Sequence, residues 1–124
     1  MIRILALVLA LAAAPAAAQT QAQMNADAAR AFQTADRAMT LQWQRTFAAM
    51  KQHDAAITSR GGGFGYAAAA LESQRAWLKF RDTQCAIEGG EFAGGSLQGM
   101  TTVQCRARLT RERTVQLRGL MWQR

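Results

Sequence analysis

Apolar positions along this chain fall into one short unbroken run and three periodic stretches. The run is Ile4 to Ala13, preceded by Arg3 and broken by Pro15. Ala16, Ala17 and Ala18 follow with the small-residue pattern that signal peptidase reads, and Gln19 lies after the cut. A spanning helix needs roughly 20 apolar residues, about twice this run. The pattern therefore predicts a cleaved signal peptide over residues 1–18 and one domain over residues 19–124. No transmembrane segment is expected after cleavage.

The first periodic stretch follows Asn25, which can cap a helix with Asp27 in its first turn. Ala28, Phe32, Ala35, Met39, Trp43, Phe47 and Met50 recur at spacings of three and four, the mark of an amphipathic helix. Glycines 61, 62, 63 and 65 interrupt it, because each glycine costs a helix about 1 kcal/mol. A second helix is predicted from about Tyr66 to Glu88, with Ala67, Ala70, Leu71, Trp77, Leu78 and Cys85 on one side. Gly89 and Gly90 end it, and residues 91–99 form another glycine-rich connection. A third helix is predicted from about Met100 to Met121, with Cys105, Leu109, Leu117 and Leu120 as its apolar stripe. No strand pattern or repeat is seen. The expected fold is all-α: a small bundle of about three helices, the long first one packed on a helical hairpin.

Export changes how the cysteines and the charge are read. Cys85 and Cys105 are the two cysteines of the chain, and an even count in an oxidising compartment predicts a disulfide. It would staple the second helix to the third. Two cysteines and one histidine, with no C-x-x-C or H-x-x-x-H, fall short of a zinc site, so neither metal nor cofactor is expected. The chain carries 15 basic and 8 acidic residues, a net charge of +7, and cleavage removes only Arg3 from that balance. Such a surface favours anionic partners. Nucleic acid is not expected, since an exported chain seldom meets it. The protein is expected to be periplasmic or secreted and soluble, with no cysteine after the cleavage site to carry lipid.

Polar residues intrude on the apolar faces. Gln74, Arg81 and Glu88 are seven residues apart and nearly stacked, while Glu112, Arg113 and Gln116 sit close to the third stripe. Buried charges must be paired and hydrogen-bonded, so Glu88 or Glu112 is expected to pair with Arg81 or Arg113. The network either fixes helix register or lines a ligand pocket. Arg108, Arg111 and Arg118 share an outward angle and form either a solvated face or an anion site. His53 lacks the setting of a catalytic base, no serine lies in G-x-S-x-G, and the glycine-rich stretches lack the context of a phosphate loop. No catalytic residue is assigned, and the chain is not expected to be an enzyme.

The run from Leu71 to Cys85, LESQRAWLKFRDTQC, resembles the signature helix of the LprI-like lysozyme-inhibitor family. The likeness continues through Glu88, Gly94, Gly95, Ser96, Met100, Cys105, Leu109, Thr110, Arg113 and Leu117, and at the front through Met24, Asn25 and Ala28. The resemblance implies that Cys85 and Cys105 are the family's core disulfide. It also puts Gln74, Trp77, Arg81, Asp82, Glu88 and Arg113 on signature positions. Two departures stand out. Asp27 occupies a place where many relatives have a cysteine, and Gln19 replaces the lipid-modified cysteine of the lipoprotein members. The implied activity is non-covalent blockade of lysozyme or another muramidase. Arg60, among Gly61, Gly62 and Gly63, and the 91–99 connection, including Glu91 and Ser96, are the partner-binding loops this suggests. The alternative is a basic module for an anionic cell-envelope polymer, through Arg108, Arg111 and Arg118, or a structural accessory of an envelope complex.

Overall fold

The computed structural model of the protein describes residues 13–56 and 65–122. Arg60 and its flanking glycines lie outside the described residues, as does most of the expected signal peptide. Three helices follow in order: α1 (Ala13–Ala56), α2 (Tyr66–Gly90) and α3 (Leu97–Gly119). The described residues hold no strand. The all-α, three-helix expectation is met, with the long first helix lying on the other two.

Cross-helix contacts fix the directions. Asp54, Met39 and Asp36 of α1 meet Tyr66, Gln74 and Arg81 of α2, so these helices are antiparallel. Cys85 and Gln74 of α2 meet Cys105 and Arg113 of α3, again antiparallel. Hence α1 and α3 run the same way, and α1 packs most extensively against α3.

The core is thin. Ala28, Ala35, Met39 and Met50 of α1 are buried, with Ala70 and Cys85 of α2 and Cys105, Ala107, Leu109 and Leu117 of α3. Phe32, Trp43 and Phe47 are only half-buried, and Trp43 stacks on Phe47 at 5.1 Å between ring centroids. Polar groups complete the interior: Gln42, Thr46, Gln74, Arg81, Thr110 and Arg113 are all buried. Thr46 donates to the carbonyl of Leu117 at 2.9 Å, so its burial is satisfied.

Several expectations are corrected. Asn25 does not begin α1, which runs straight through it; the preceding alanines and glutamines favour helix, and Gln21 donates to the Asn25 side chain at 3.0 Å. Leu78 is exposed rather than in the core. Leu120 lies beyond the end of α3 and is half-buried. As expected, α2 ends at Gly89 and Gly90, which are its last residues. Gly89 packs on α3 so closely that a Cβ would fall 1.9 Å from Thr102 Oγ1 and 2.9 Å from the Gln98 carbonyl oxygen. The hairpin can close there only because that side chain is absent.

Candidate functional site

The polar seam between the helices is built around two arginines, Arg81 and Arg113, that both approach the Trp77 indole. Arg81 projects from the buried face of α2 and gathers partners from all three helices. Its Nε lies 3.0 Å from Asp82 Oδ1, its Nη1 lies 3.6 Å from Asp36 Oδ1, and Nη1 donates to Thr110 Oγ1 at 3.3 Å. The guanidinium also sits 5.3 Å from the ring centre of Phe32 and 5.4 Å from that of Trp77. Cation–π contact of this kind stabilises a charge that has lost water.

Arg113 of α3 approaches the same Trp77 ring at 5.7 Å. Its Nε donates to Gln74 Oε1 at 3.0 Å, Nη2 to Ser73 Oγ at 3.0 Å, and Nη1 to Gln116 Oε1 at 3.2 Å. No carboxylate among the described residues balances it, and burial lowers its pKa from the usual arginine value. The group stays charged all the same, because guanidinium does not deprotonate in proteins. Gln74 completes the chain by pointing its amide nitrogen at Met39 Sδ, 3.7 Å away.

Glu88 is two turns from Arg81 and pairs elsewhere. Arg108 Nη2 lies 2.9 Å from both Glu88 carboxylate oxygens, and Gln84 Nε2 donates to Glu88 Oε1 at 3.3 Å. The hydrogen bond from Arg108, with that from Gln84, holds the Glu88 carboxyl below its ordinary pKa. The same contact raises the pKa of Arg108. Glu112 joins Arg108 at 3.7 Å. The expected pairing of Glu88 or Glu112 with Arg81 or Arg113 is thus replaced. Both acids meet Arg108, which lies one turn beyond Cys105, at the level of the disulfide. Cys85 and Cys105 are bonded, with a Cα–Cα distance of 5.4 Å.

The arginines grouped by outward angle therefore divide. Arg108 is held by two acids, whereas Arg111 and Arg118 are exposed and pair with no acid among the described residues. Arg111 borders a shallow hollow of about 410 Å³ between α1 and α3, shared with Arg30, Ala31, Thr34, Ala35 and Ala38. Asp82 is shared by Arg81 and Arg106, the latter at 3.4 Å. Glu91 and Ser96 lie exposed in the connection of residues 91–96. That connection is shaped by its own backbone: Phe92 and Ala93 donate to the carbonyls of Gly89 and Gly90, and Gly95 to that of Phe92. Gly94 adopts φ +80° there, a conformation open to glycine and costly for other residues.

Residue spacing did not disclose Asp36, Ser73 or Thr110. Asp36 carried a signal, since it stands four residues from Phe32 and beside Ala35 on the packed side of α1. His53 stacks on Trp122, with ring centroids 5.5 Å apart, and lies 6.0 Å from Tyr66. Among the described residues no three His, Cys, Asp or Glu side chains gather as metal ligands would. No described helix is long and apolar enough to cross a membrane. The seam's donors and acceptors are mostly spent on one another, an arrangement suited to holding helix register.

A sequence model of the family described as Lysozyme inhibitor LprI matches residues 12–117. A curated relative from Rhizobium meliloti (strain 1021), the uncharacterized protein R02472, is 35% identical over 99 residues, covering 79% of this chain and 71% of its own length. No solved structure matches. The seam residues Gln74, Trp77, Arg81 and Arg113 and the Cys85–Cys105 bridge all lie within the matched span, and the chain belongs to the LprI lysozyme-inhibitor family.

Proposed function

We propose that this protein is an exported, non-catalytic inhibitor that blocks lysozyme or another peptidoglycan-cleaving muramidase by binding it without covalent chemistry. The observation that carries the reading is the family match over residues 12–117. The hairpin supports it. A connection held by backbone hydrogen bonds, with the disulfide spanning the two helices beneath it, loses little freedom on binding, and such preorganisation favours affinity. Glu91 and Ser96 in that connection, and Arg60 in the earlier glycine-rich one, are the proposed points of contact. Charge selects among targets. The chain carries a net charge of +7, one less once Arg3 is cleaved off, and is repelled at long range by a basic lysozyme, which slows encounter. An acidic or neutral muramidase is the better partner.

The test is turnover of labelled peptidoglycan by a panel of basic and acidic muramidases, with and without the oxidised protein, at low and moderate salt. Inhibition that persists in moderate salt and favours acidic enzymes is expected. If micromolar protein leaves every enzyme fully active, the reading fails. Pelleting on cell-wall material at low salt alone would point to an anionic polymer as the partner.

A further inference from the structure

The groove between α1 and α3 collects arginines that no acid answers. It opens away from α2, since Asp36, which meets α2, lies about 160° around α1 from Thr34 and Ala38. Arg111 borders the hollow of about 410 Å³ there, beside Ala31, Ala35 and Ala38. A step of seven residues makes nearly two helical turns and advances about 10.5 Å along one edge of a helix. One such step beyond Ala38 on α1 is Arg45, and one beyond Arg111 on α3 is Arg118. The two helices run the same way, and the bond from Thr46 to the Leu117 carbonyl sets residues 45 and 118 at one level. Arg45 and Arg118 therefore stand on the two walls of the groove at the same height, one step along from Arg111. All three are exposed and pair with no acid among the described residues.

The eight acids of the chain are spent elsewhere. Asp36 and Asp82 meet Arg81, Asp54 reaches the start of α2, and Glu88 and Glu112 hold Arg108. Glu72 is exposed on α2, and Glu91 stands in the connection that follows it. Asp27 alone shares the α1 edge of the groove, seven residues before Thr34, and Arg30 takes it up. Like charges gathered along a concave strip concentrate anions there.

Chemistry and shape choose the occupant. A guanidinium fork matches the oxygens of a phosphate group two at a time. Cations that repeat along a groove call for a ligand whose charges repeat as well, an extended chain rather than a single ion. An acidic peptide is less suited, because helices offer no open sheet edge for a strand to join and the alanine-lined hollow is too shallow to anchor large side chains. Single-stranded nucleic acid stacks its bases on aromatic rings, but Trp43 and Phe47 each lie about 160° around α1 from Arg45. A flat bilayer does not enter a groove. We propose that the α1–α3 groove, through Arg45, Arg111 and Arg118, binds an extended phosphate-bearing polymer. This site is separate from the inhibitor reading and does not depend on it.

The experiment titrates the oxidised protein with poly(glycerol phosphate) at roughly 0.15 M salt, where exposed charges farther apart than about 8 Å are largely screened. Three variants accompany the wild type: R45E, R111E/R118E, and R75E/K79E, which makes the same charge change as the second on the far side of α2. R45E and R111E/R118E are expected to bind about tenfold or more weakly while melting like the wild type. R75E/K79E is expected to stay within about threefold of wild type. Affinity of the wild type should fall steeply with added salt, and that of R111E/R118E less steeply, because fewer counterions are released. Equal loss in R75E/K79E and R111E/R118E would mean that binding follows net charge and not the groove, which overturns the proposal. A wild type that binds no polymer does the same. So does tighter binding to poly(glutamate), which would make the occupant an acidic polypeptide, or binding to phosphatidylglycerol vesicles without binding to the polymer. Should R111E/R118E melt early, R111Q/R118Q decides: weakened binding supports the groove, and unchanged binding overturns it.

Discussion

Arg113 is gripped from both α2 and α3, and its removal strands a partner. Gln74 is 6% exposed and accepts the Arg113 Nε–H at 3.0 Å. Truncation by Arg113→Ala leaves that amide oxygen buried without a donor, at a cost of about 1–3 kcal/mol. Each kcal/mol moves the melting temperature of a domain this size by roughly 4–8 °C. Arg113→Lys should recover only part of the loss, because an ammonium cannot reproduce the planar fork that reaches Gln74, Ser73 and Gln116 together. An unchanged thermal melt for Arg113→Ala would show that the seam contributes nothing to stability. The seam was half legible in the sequence. The seven-residue spacing of Gln74, Arg81 and Glu88 placed them on one side of a helix. Burial then required partners, but spacing within one helix cannot say which residue of another helix stands opposite. Asp36 for Arg81 and Arg108 for Glu88 emerge only from the packing.

At the scale of elements, the start of α2 is secured from outside itself. Gly65, at the N-cap position, sits at φ 79° and supplies no side chain. Asp54, near the end of α1, reaches across instead. Its Oδ1 accepts from the Tyr66 N–H at 2.7 Å and its Oδ2 from the Ala67 N–H at 2.9 Å. One carboxylate thus satisfies two of the donors that a helix start leaves open, and its charge suits the positive end of the helix dipole. Asp54→Ala should cost about 1 kcal/mol, read as a lower urea midpoint, with faster amide exchange confined to the first turn of α2. Exchange spread evenly over the chain would contradict a capping role. This contact illustrates why helix ends were the least legible part of the sequence. Local signals named Asn25 as a cap that the chain does not use. They were silent on Asp54, whose role depends on a chain reversal twelve residues long.

For the whole molecule, the thin core makes the disulfide matter. Closing a loop across a sequence separation of 20 stabilises by about 3 kcal/mol in the chain-entropy account, a large share of what a small domain holds. The C85S/C105S double variant should melt well below the oxidised protein and close to the reduced wild type. Equal melting of the variant and the oxidised protein would deny the bridge its role. The helix count, their order and the bridge were all readable in advance, since periodicity and cysteine parity are carried locally. The parallel course of α1 and α3 was not, because it follows from which faces meet. The seating of α1 has one further consequence. Asp36, Met39, Thr46 and Asp54 each meet a specific atom of the hairpin, and they span about 27 Å of helix. A slip of one turn would carry all of them some 5.4 Å out of place together. The helix therefore behaves like a key cut for a single depth. It has no halfway position to slide into, and it should leave the hairpin, when it leaves, all at once.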